Sequence, residues 1–138
     1  MVRSSRCRNA EAATPVTSAR DAAADRRLAG AGAEDLALAY LHERGLALVT
    51  RNFHCRHGEI DLIMRDGETI VFVEVRLRRA TSFASAAESI DRRKQARIVR
   101  AARFFLAGRA EMPCRFDCLF MDRLHADAIT WINDAFAA

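Results

Sequence analysis

Glu74 is the residue whose surroundings in this 138-residue chain most need a chemical explanation. It stands in the run Ile-Val-Phe-Val-Glu-Val, residues 70–75, where burying a valine or isoleucine instead would gain about 1.5 to 3 kcal/mol. Desolvating an unpaired carboxylate there would add a further penalty. A salt bridge to Arg76 or Arg78, or an exposed sheet face, would explain the glutamate without any function. A second acid in the preceding strand, Asp61, favours a chemical role instead.

The pair Asp66-Gly67 predicts a tight hairpin turn between the strands that carry these two acids. With this pair as the turn, Asp61 faces Phe72 and is a diagonal neighbour of Glu74, with backbones roughly 7 to 8 Å apart. Arg76 shares their face because side chains alternate along a strand. Two carboxylates this close raise each other's pKa unless a cation lies between them. We therefore expect a divalent ion with oxygen ligands, Mg²⁺ or Mn²⁺.

The other face of this hairpin is predicted to be uniformly apolar and to pack against a helix. Its residues are Ile60, Leu62, Met64, Val71, Val73, Val75 and Leu77.

Hydrophobic periodicity predicts an α-β-β-β-α-β-β order of elements. They are a helix over Ala33–Arg44 that ends at Gly45, strands over Leu46–Phe53, Glu59–Arg65 and Thr69–Leu77, a helix over Asp91–Ala107 capped by Asp91 or Ser89, and strands over Cys114–Met121 and Ala128–Ile132. This order predicts an α/β fold, a mixed sheet of about five strands flanked by helices. The glycines of residues 30–32 are interpreted as a helix entry. Residues 1–27 show no hydrophobic period and are expected to be a disordered tail, with residues 28–138 forming a single domain.

Composition limits the class of protein. The chain is 51% hydrophobic and 29% charged, as in soluble globular proteins. No apolar run approaches the roughly 20 residues that span a bilayer. The arginines near the amino terminus are not followed by the apolar segment of a secretory signal. We therefore expect a cytoplasmic protein with no membrane partner.

Charge is strongly segregated along the chain. Residues 34–75 carry eight acids against four arginines, whereas residues 76–109 carry ten basic residues against two acids. This pattern indicates an anionic polymer held by one part of the protein while carboxylates in another part do something other than bind it. The number of arginines alone is weak support for phosphate binding. Lys94 is the single lysine among the 22 lysine and arginine residues, so the preference for arginine extends over the whole chain.

Several motifs together resemble those of a known family. They are Gly58-Glu59-Ile60-Asp61-Leu62-Ile63, then Phe-Val-Glu-Val-Arg at residues 72–76, Lys94-Gln95, and Arg115-Phe116-Asp117. Over about residues 30–134 the chain resembles the YraN-like family of small bacterial proteins. That family is similar to the restriction-endonuclease-like superfamily, especially archaeal Holliday junction resolvases, whose signature is an acid, a spacer, and then acid-x-lysine.

The resemblance implies a set of metal ligands and a catalytic centre. Asp61 and Glu74 would hold the metal, with the Val75 carbonyl as a third ligand. Glu34 would approach the same ion, although a solvated helix acid near a helix start is an equal alternative. Arg76 stands where the superfamily usually has lysine. Arginine stays protonated and cannot act as a base, but it can stabilise the phosphate in the transition state.

Charged residues around the two acids are expected to bind DNA or to support the site. Lys94 fits a phosphate contact, with a solvated helix face as the alternative. Glu59 is expected to form a salt bridge or hydrogen bond near the site, and Asp117 to order the sheet rather than to bind metal. The expected DNA-binding residues, with contacts that weaken with salt, are Arg78, Arg79, Arg92, Arg93, Lys94 and Arg97.

Together these features predict a Mg²⁺-dependent DNA endonuclease that hydrolyses phosphodiester bonds of duplex or branched DNA in repair or recombination. Two alternatives stay open at this point. The first is a nuclease fold that serves as a non-catalytic DNA-binding or adaptor module, which Arg76 makes credible. The second is a dimerising structural protein, because resolvase relatives pair symmetrically; the resemblance thus names a homodimer as a further partner.

Overall fold

A computed structural model describes the backbone of residues 19–77 and 90–138. Its elements are α1 (Ala19–Glu43), β1 (Ala47–Cys55), β2 (Gly58–Asp66), β3 (Thr69–Leu77), α2 (Arg92–Leu106), β4 (Cys114–Met121), a 3₁₀ turn (Ala126–Ala128) and β5 (Ile129–Phe136). They follow the α-β-β-β-α-β-β order and form one five-stranded mixed sheet. The predicted fold class is therefore confirmed.

The strands lie in the sheet in the order in which they occur along the chain, β1-β2-β3-β4-β5. Only β3 and β4 pair in parallel, and the other three pairs are antiparallel. A parallel pair needs a long crossover, which α2 provides. The start of α2 is capped as predicted, because the Asp91 side chain accepts a hydrogen bond from the backbone N–H of Lys94 at 2.8 Å. The alternative cap, Ser89, lies outside the described residues.

Helix α1 covers one face of the sheet and α2 covers the other. The face that packs against α1 includes Leu62, Met64, Val71 and Val73, as predicted. The face that packs against α2 includes Ile63, Ile70 and Phe72. Asp61 and Glu74 thus extend a face that is itself largely buried under a helix, and the site lies at the edge of a second core.

Ile60 departs from the predicted face. It pairs with Phe53, and both residues pack in the cluster around α2 rather than under α1. Asn52, next to Phe53, has φ 52°, a left-handed conformation that interrupts the regular alternation of side chains. Leu77, at the end of the same predicted face, is exposed.

The predicted hairpin register is wrong by two residues. Asp66 pairs with Thr69, so Gly67 and Glu68 are the turn residues rather than Asp66 and Gly67. Gly67 adopts φ 59°, and hairpin turns of this kind favour glycine at the first central position. Because side chains alternate with a period of two, a register shift of two residues does not by itself move any side chain to the other face.

The boundaries of α1 also differ from the prediction. The helix begins at Ala19, so the predicted tail of residues 1–27 is helical over residues 19–27, and residues 1–18 lie outside the described part. Residues 30–32 lie inside the helix instead of forming its entry. The predicted end is confirmed at Gly45, whose φ of 93° suits glycine. Within residues 19–77 and 90–138 no helix has the length and apolar character needed to cross a membrane.

Candidate active site

Asp61 is held in place where the backbone ladder between β2 and β3 ends. The last backbone pair on this side is Leu62 with Val73. One position further along, Asp61 comes opposite Glu74, instead of opposite Phe72 as predicted. Beyond the pair of Leu62 and Val73, the Asp61 side chain bonds to β3 in place of the backbone: its Oδ2 accepts a hydrogen bond from the backbone N–H of Val75 at 2.8 Å. The site therefore forms directly from the strand pairing.

Glu74 is 7% exposed and has two cations beside it. Lys94 Nζ and Arg76 Nε each lie 3.5 Å from its Oε1 atom. The pKa of Glu74 is raised to about 8, first by burial and second by the nearby charge of Asp61, against the two cations that lower it. Burial also raises the pKa of Asp61, although its hydrogen bond from Val75 opposes the shift.

The charges of the two carboxyl groups interact, and the charge of Asp61 is the second cause of the raised pKa of Glu74. Because burial and the charge of Asp61 raise the pKa of Glu74, the pair holds a proton more readily than two exposed carboxyl groups would. A proton is the smallest cation that can relieve the repulsion between two carboxylates, and a divalent metal ion relieves it more completely. Carboxylate oxygens are the ligands that Mg²⁺ and Mn²⁺ prefer, so the residues present fit such an ion.

Glu34 lies near this pair on α1 but is not part of it. Its side chain is mostly buried, and Arg51 Nη2 lies 3.8 Å from its Oε2 atom. Burial raises the pKa of Glu34 first, and the charge of Asp61 raises it second. In the part of the chain that the structure describes, no three His, Cys, Asp or Glu side chains are grouped closely enough to hold a metal. The candidate site thus consists of the carboxylates of Asp61 and Glu74, and Glu34 acts on it only through its charge.

Arg76 lies on the same side of β3 as Glu74, as predicted. Its side chain is 18% exposed. Its Nε atom is buried and makes no hydrogen bond within the described residues. The guanidinium therefore contributes positive charge beside Glu74 without a hydrogen bond from Nε to its carboxylate.

Lys94 lies in the first turn of α2 and lines a pocket next to the carboxylates. The pocket measures about 220 Å³, and its lining is Gly58, Glu59, Lys94, Arg97 and Ile98. Gly58 has φ 151°, and a Cβ there would lie 3.4 Å from the Arg97 carbonyl oxygen. The glycine that opens the Gly-Glu-Ile-Asp motif thus lets the β1–β2 turn approach α2 closely.

The contact between Lys94 and Glu74 is the feature of the site that sequence reasoning missed. Lys94 was predicted only as a phosphate contact on a basic helix. The signal that could have found it is that no other lysine occurs in the chain.

Glu59 and Asp117 occupy different environments. Glu59 is exposed at the edge of the pocket, where its Oε1 lies 3.4 Å from His54 Nδ1. Asp117, on β4, is fully buried and accepts hydrogen bonds from Arg115 Nε at 3.1 Å, Trp131 Nε1 at 3.0 Å and the backbone N–H of Asp134 at 2.9 Å. These contacts tie β4 to β5, as expected for a residue that orders the sheet.

The exposed side of α2 carries arginines that begin beside the carboxylate site. We call this surface the arginine face, and it consists of Arg92, Arg93, Arg97, Arg100 and Arg103. Among the described residues none of the five forms an ion pair, and α2 itself carries no acid. Four of them border an open cavity of about 510 Å³ around Ala96. Arg100 and Arg103 extend the predicted DNA-binding set, and its members Arg78 and Arg79 lie outside the described residues.

The chain is similar to proteins of a known family. The model of the uncharacterised protein family UPF0102 matches residues 33–121. The chain belongs to this family. A UPF0102 protein of Methylobacillus flagellatus is 48% identical over 109 residues, which are 79% of this chain and 96% of the relative. Another, of Nitrosospira multiformis, is 51% identical over 111 residues, covering 80% and 93% of the two chains.

A third UPF0102 protein, of Nitrosococcus oceani, is 50% identical over 111 residues, with 78% of this chain and 90% of the relative covered. The part that matches the UPF0102 model extends from α1 to the end of β4. It includes both carboxylates, Lys94, Asp117 and the arginine face. The UPF0102 description names no activity.

Proposed function

We propose that this protein is a metal-dependent DNA endonuclease that hydrolyses phosphodiester bonds with Mg²⁺ or Mn²⁺. One observation carries the proposal: the half-buried Asp61 and the buried Glu74 lie side by side, with two cations against Glu74, where the arginine face begins. Buried like charges with strongly shifted pKa values are typical of functional sites. The restriction-endonuclease-like resemblance supplies the reaction class.

Asp61, Glu74 and the main-chain carbonyl of Val75 are the residues that would hold the ion. When bound, such an ion neutralises charge on the phosphodiester and acidifies the attacking water. The chain contributes the rest of the site. The Asp61–Val75 hydrogen bond keeps the carboxylate oriented, and burial of Glu74 limits competition from bulk water.

Arg76 is, in this proposal, a positively charged hydrogen-bond donor and not a base. A guanidinium remains protonated at any physiological pH and therefore cannot accept the proton of the attacking water. It can donate hydrogen bonds to a phosphate oxygen as negative charge develops there. The Arg76 side chain is 18% exposed and lies beside Glu74, which places the guanidinium next to a carboxylate that would hold the ion.

The arginine face is the proposed contact for the DNA backbone. Five exposed arginines without ion-pair partners among the described residues can neutralise phosphates and release counterions. Contacts of this kind fix position on the backbone without reading bases, which suits duplex or branched DNA recognised by shape. Such a substrate implies a cytoplasmic protein with a role in DNA repair or recombination.

A second candidate function is a non-catalytic DNA-binding or adaptor module with the same fold. The observation that favours it is Arg76 at the position where the related nucleases have lysine. In that case the arginine face would bind DNA and the carboxylate pair would have only a structural role.

Incubation of the purified protein with supercoiled plasmid and with branched DNA, in Mg²⁺, Mn²⁺ or EDTA, separates the two candidates. We expect cleavage with either metal, none in EDTA, and a loss of about 100-fold or more in Asp61→Asn and Glu74→Gln. Glu68→Gln, an exposed carboxylate in the turn of the same hairpin, is the matched control and should cleave normally. DNA binding without metal-dependent cleavage would support the module, and no DNA affinity at low salt would remove both candidates. Sedimentation analysis of the same samples tests the predicted homodimer.

A further inference from the structure

Lys94 is the only lysine in a chain with 22 lysine and arginine residues. Every other basic position is filled by arginine. The Nζ atom of Lys94 lies 3.5 Å from Glu74 Oε1. Arg76 Nε, on β3, lies 3.5 Å from the same oxygen. Two independent observations therefore single out Lys94, its chemical type in an arginine-rich chain and its contact with a buried carboxylate.

We infer that Lys94 supplies, from α2, the ammonium that an acid-x-lysine motif would carry at position 76 of β3, and that it contacts the scissile phosphate during catalysis. The inference rests on the proposed nuclease function. It assigns the catalytic cation to a residue on a different element, with Arg76 as an auxiliary donor.

The shape of the site supports an ammonium at this place. A lysine ammonium is a compact point charge with three rotatable donors, whereas a guanidinium is a planar fork that needs more space. The Lys94 side chain is 31% exposed, its Nζ contacts the buried Glu74, and the residue also lines the 220 Å³ pocket. Arg97 borders the same pocket and leads to the arginine face. A DNA strand held by that face would therefore bring a phosphate to Lys94.

Lys94 also affects how strongly the carboxylates bind a cation. Its ammonium and a divalent ion are attracted by the same Glu74 oxygen and repel each other. Replacing Lys94 by methionine removes this repulsion, which is twice as large for a divalent ion as for the competing proton. The metal affinity should therefore increase even though the pKa of Glu74 increases as well. A lysine with a merely structural role would not produce tighter metal binding together with slower cleavage.

The geometry also allows a lysine at position 76 of β3 to supply the ammonium instead of Lys94. The Cε atom of a lysine occupies the place that Nε has in an arginine, and Arg76 Nε is already 3.5 Å from Glu74 Oε1. A lysine at position 76 would therefore bring its Nζ to within about one bond length of the present contact. The double variant Lys94→Met with Arg76→Lys tests whether an ammonium from either element suffices.

The experiment compares the wild-type protein with Lys94→Met, Lys94→Arg and the double variant. Single-turnover cleavage of plasmid with Mn²⁺ at saturating protein should fall about 100-fold or more in Lys94→Met. It should stay low in Lys94→Arg and recover at least about tenfold in the double variant relative to Lys94→Met. Calorimetric titration of Mn²⁺ at pH 8.5 should give a dissociation constant about three- to tenfold lower in Lys94→Met.

Arg44→Met is the matched charge control, because Arg44 stacks on Tyr40 beyond the end of α1, the helix on the opposite face of the sheet. It should leave both measurements unchanged. Wild-type cleavage that persists in Lys94→Met, or weaker Mn²⁺ binding in that variant, overturns the inference and leaves the nuclease proposal intact. Absence of cleavage by the wild-type protein overturns both.

Discussion

Lys94 and Glu74 meet between α2 and β3, with Nζ 3.5 Å from Oε1. The helix and the strand are separated in the chain by a segment outside the described residues, yet they bring one cation to one buried carboxylate. Because the contact depends on tertiary packing, the charge balance of the site is coupled to the docking of the helix that also carries the arginine face. A change in that docking alters the carboxylates and the DNA-binding surface together.

Stability without metal should depend on pH through Glu74. Its pKa is raised to about 8 in the folded protein from the ordinary glutamate value of 4.5, which the unfolded chain is expected to have. Over the pH range between these values, the folded protein keeps a proton that the unfolded chain releases. This contribution is fully present below about pH 4.5 and is lost as the pH rises through about 8. In EDTA, urea titrations should give a free energy of unfolding that falls between pH 5 and 8.5 by on the order of a few kcal/mol.

Glu74→Gln is the control for this pH dependence, because glutamine keeps the size of the side chain and does not titrate. The variant should show a clearly flatter profile over the same range. Equal slopes in the two proteins would contradict the raised pKa of Glu74.

DNA binding should depend on salt through the arginine face. Replacing both Arg93 and Arg97 by methionine should reduce the slope of log K against log salt concentration by about 2. Fluorescence anisotropy of a labelled duplex in EDTA measures this slope without cleavage. The variant Arg44→Met removes one charge elsewhere and should keep the wild-type slope, whereas equal losses in both proteins would point to a non-specific effect of net charge.

Asp117 should matter for stability rather than for chemistry. Asp117→Ala leaves Arg115 without its buried partner and removes the acceptor of the Trp131 and Asp134 N–H groups. Arg115 is half-buried and keeps its ion pair with Asp66, so the expected loss is about 1–3 kcal/mol for each buried donor left without an acceptor, as measured by urea unfolding. Asp117→Asn, which keeps one acceptor, should lose less, and Asp127→Ala at an exposed position should change stability by less than about 0.5 kcal/mol. A loss below about 1 kcal/mol in Asp117→Ala would show that the network is dispensable.

The sequence could predict that Asp61 and Glu74 converge, but not their exact pairing. Alternation along β2 and β3 placed both acids on one face, and that result depends only on whether the register shift is odd or even. The turn was assigned to Asp66-Gly67, whereas Gly67 takes the first turn position instead. The resulting shift of two residues turned a diagonal pair into a directly opposed one.

Contacts between distant elements could not be predicted from local patterns. Nothing in the sequence around Lys94 states that α2 packs close to Glu74, and nothing near Asp117 indicates its bonds to β5. The start of α1 was missed for a different reason. Residues 19–27 lack an apolar period, although they are helical in the structure. Arg100 and Arg103 follow helical spacing from Arg97 and could have been included in the DNA-binding set.

Calorimetric titration of Mn²⁺ into the protein at pH 8.5 is the most direct test of a metal site at Asp61 and Glu74. We expect one ion bound per chain in the wild-type protein and in Glu68→Gln, and no measurable binding in Asp61→Asn or Glu74→Gln. Binding that is absent from the wild-type protein, or that survives both substitutions, would contradict the account.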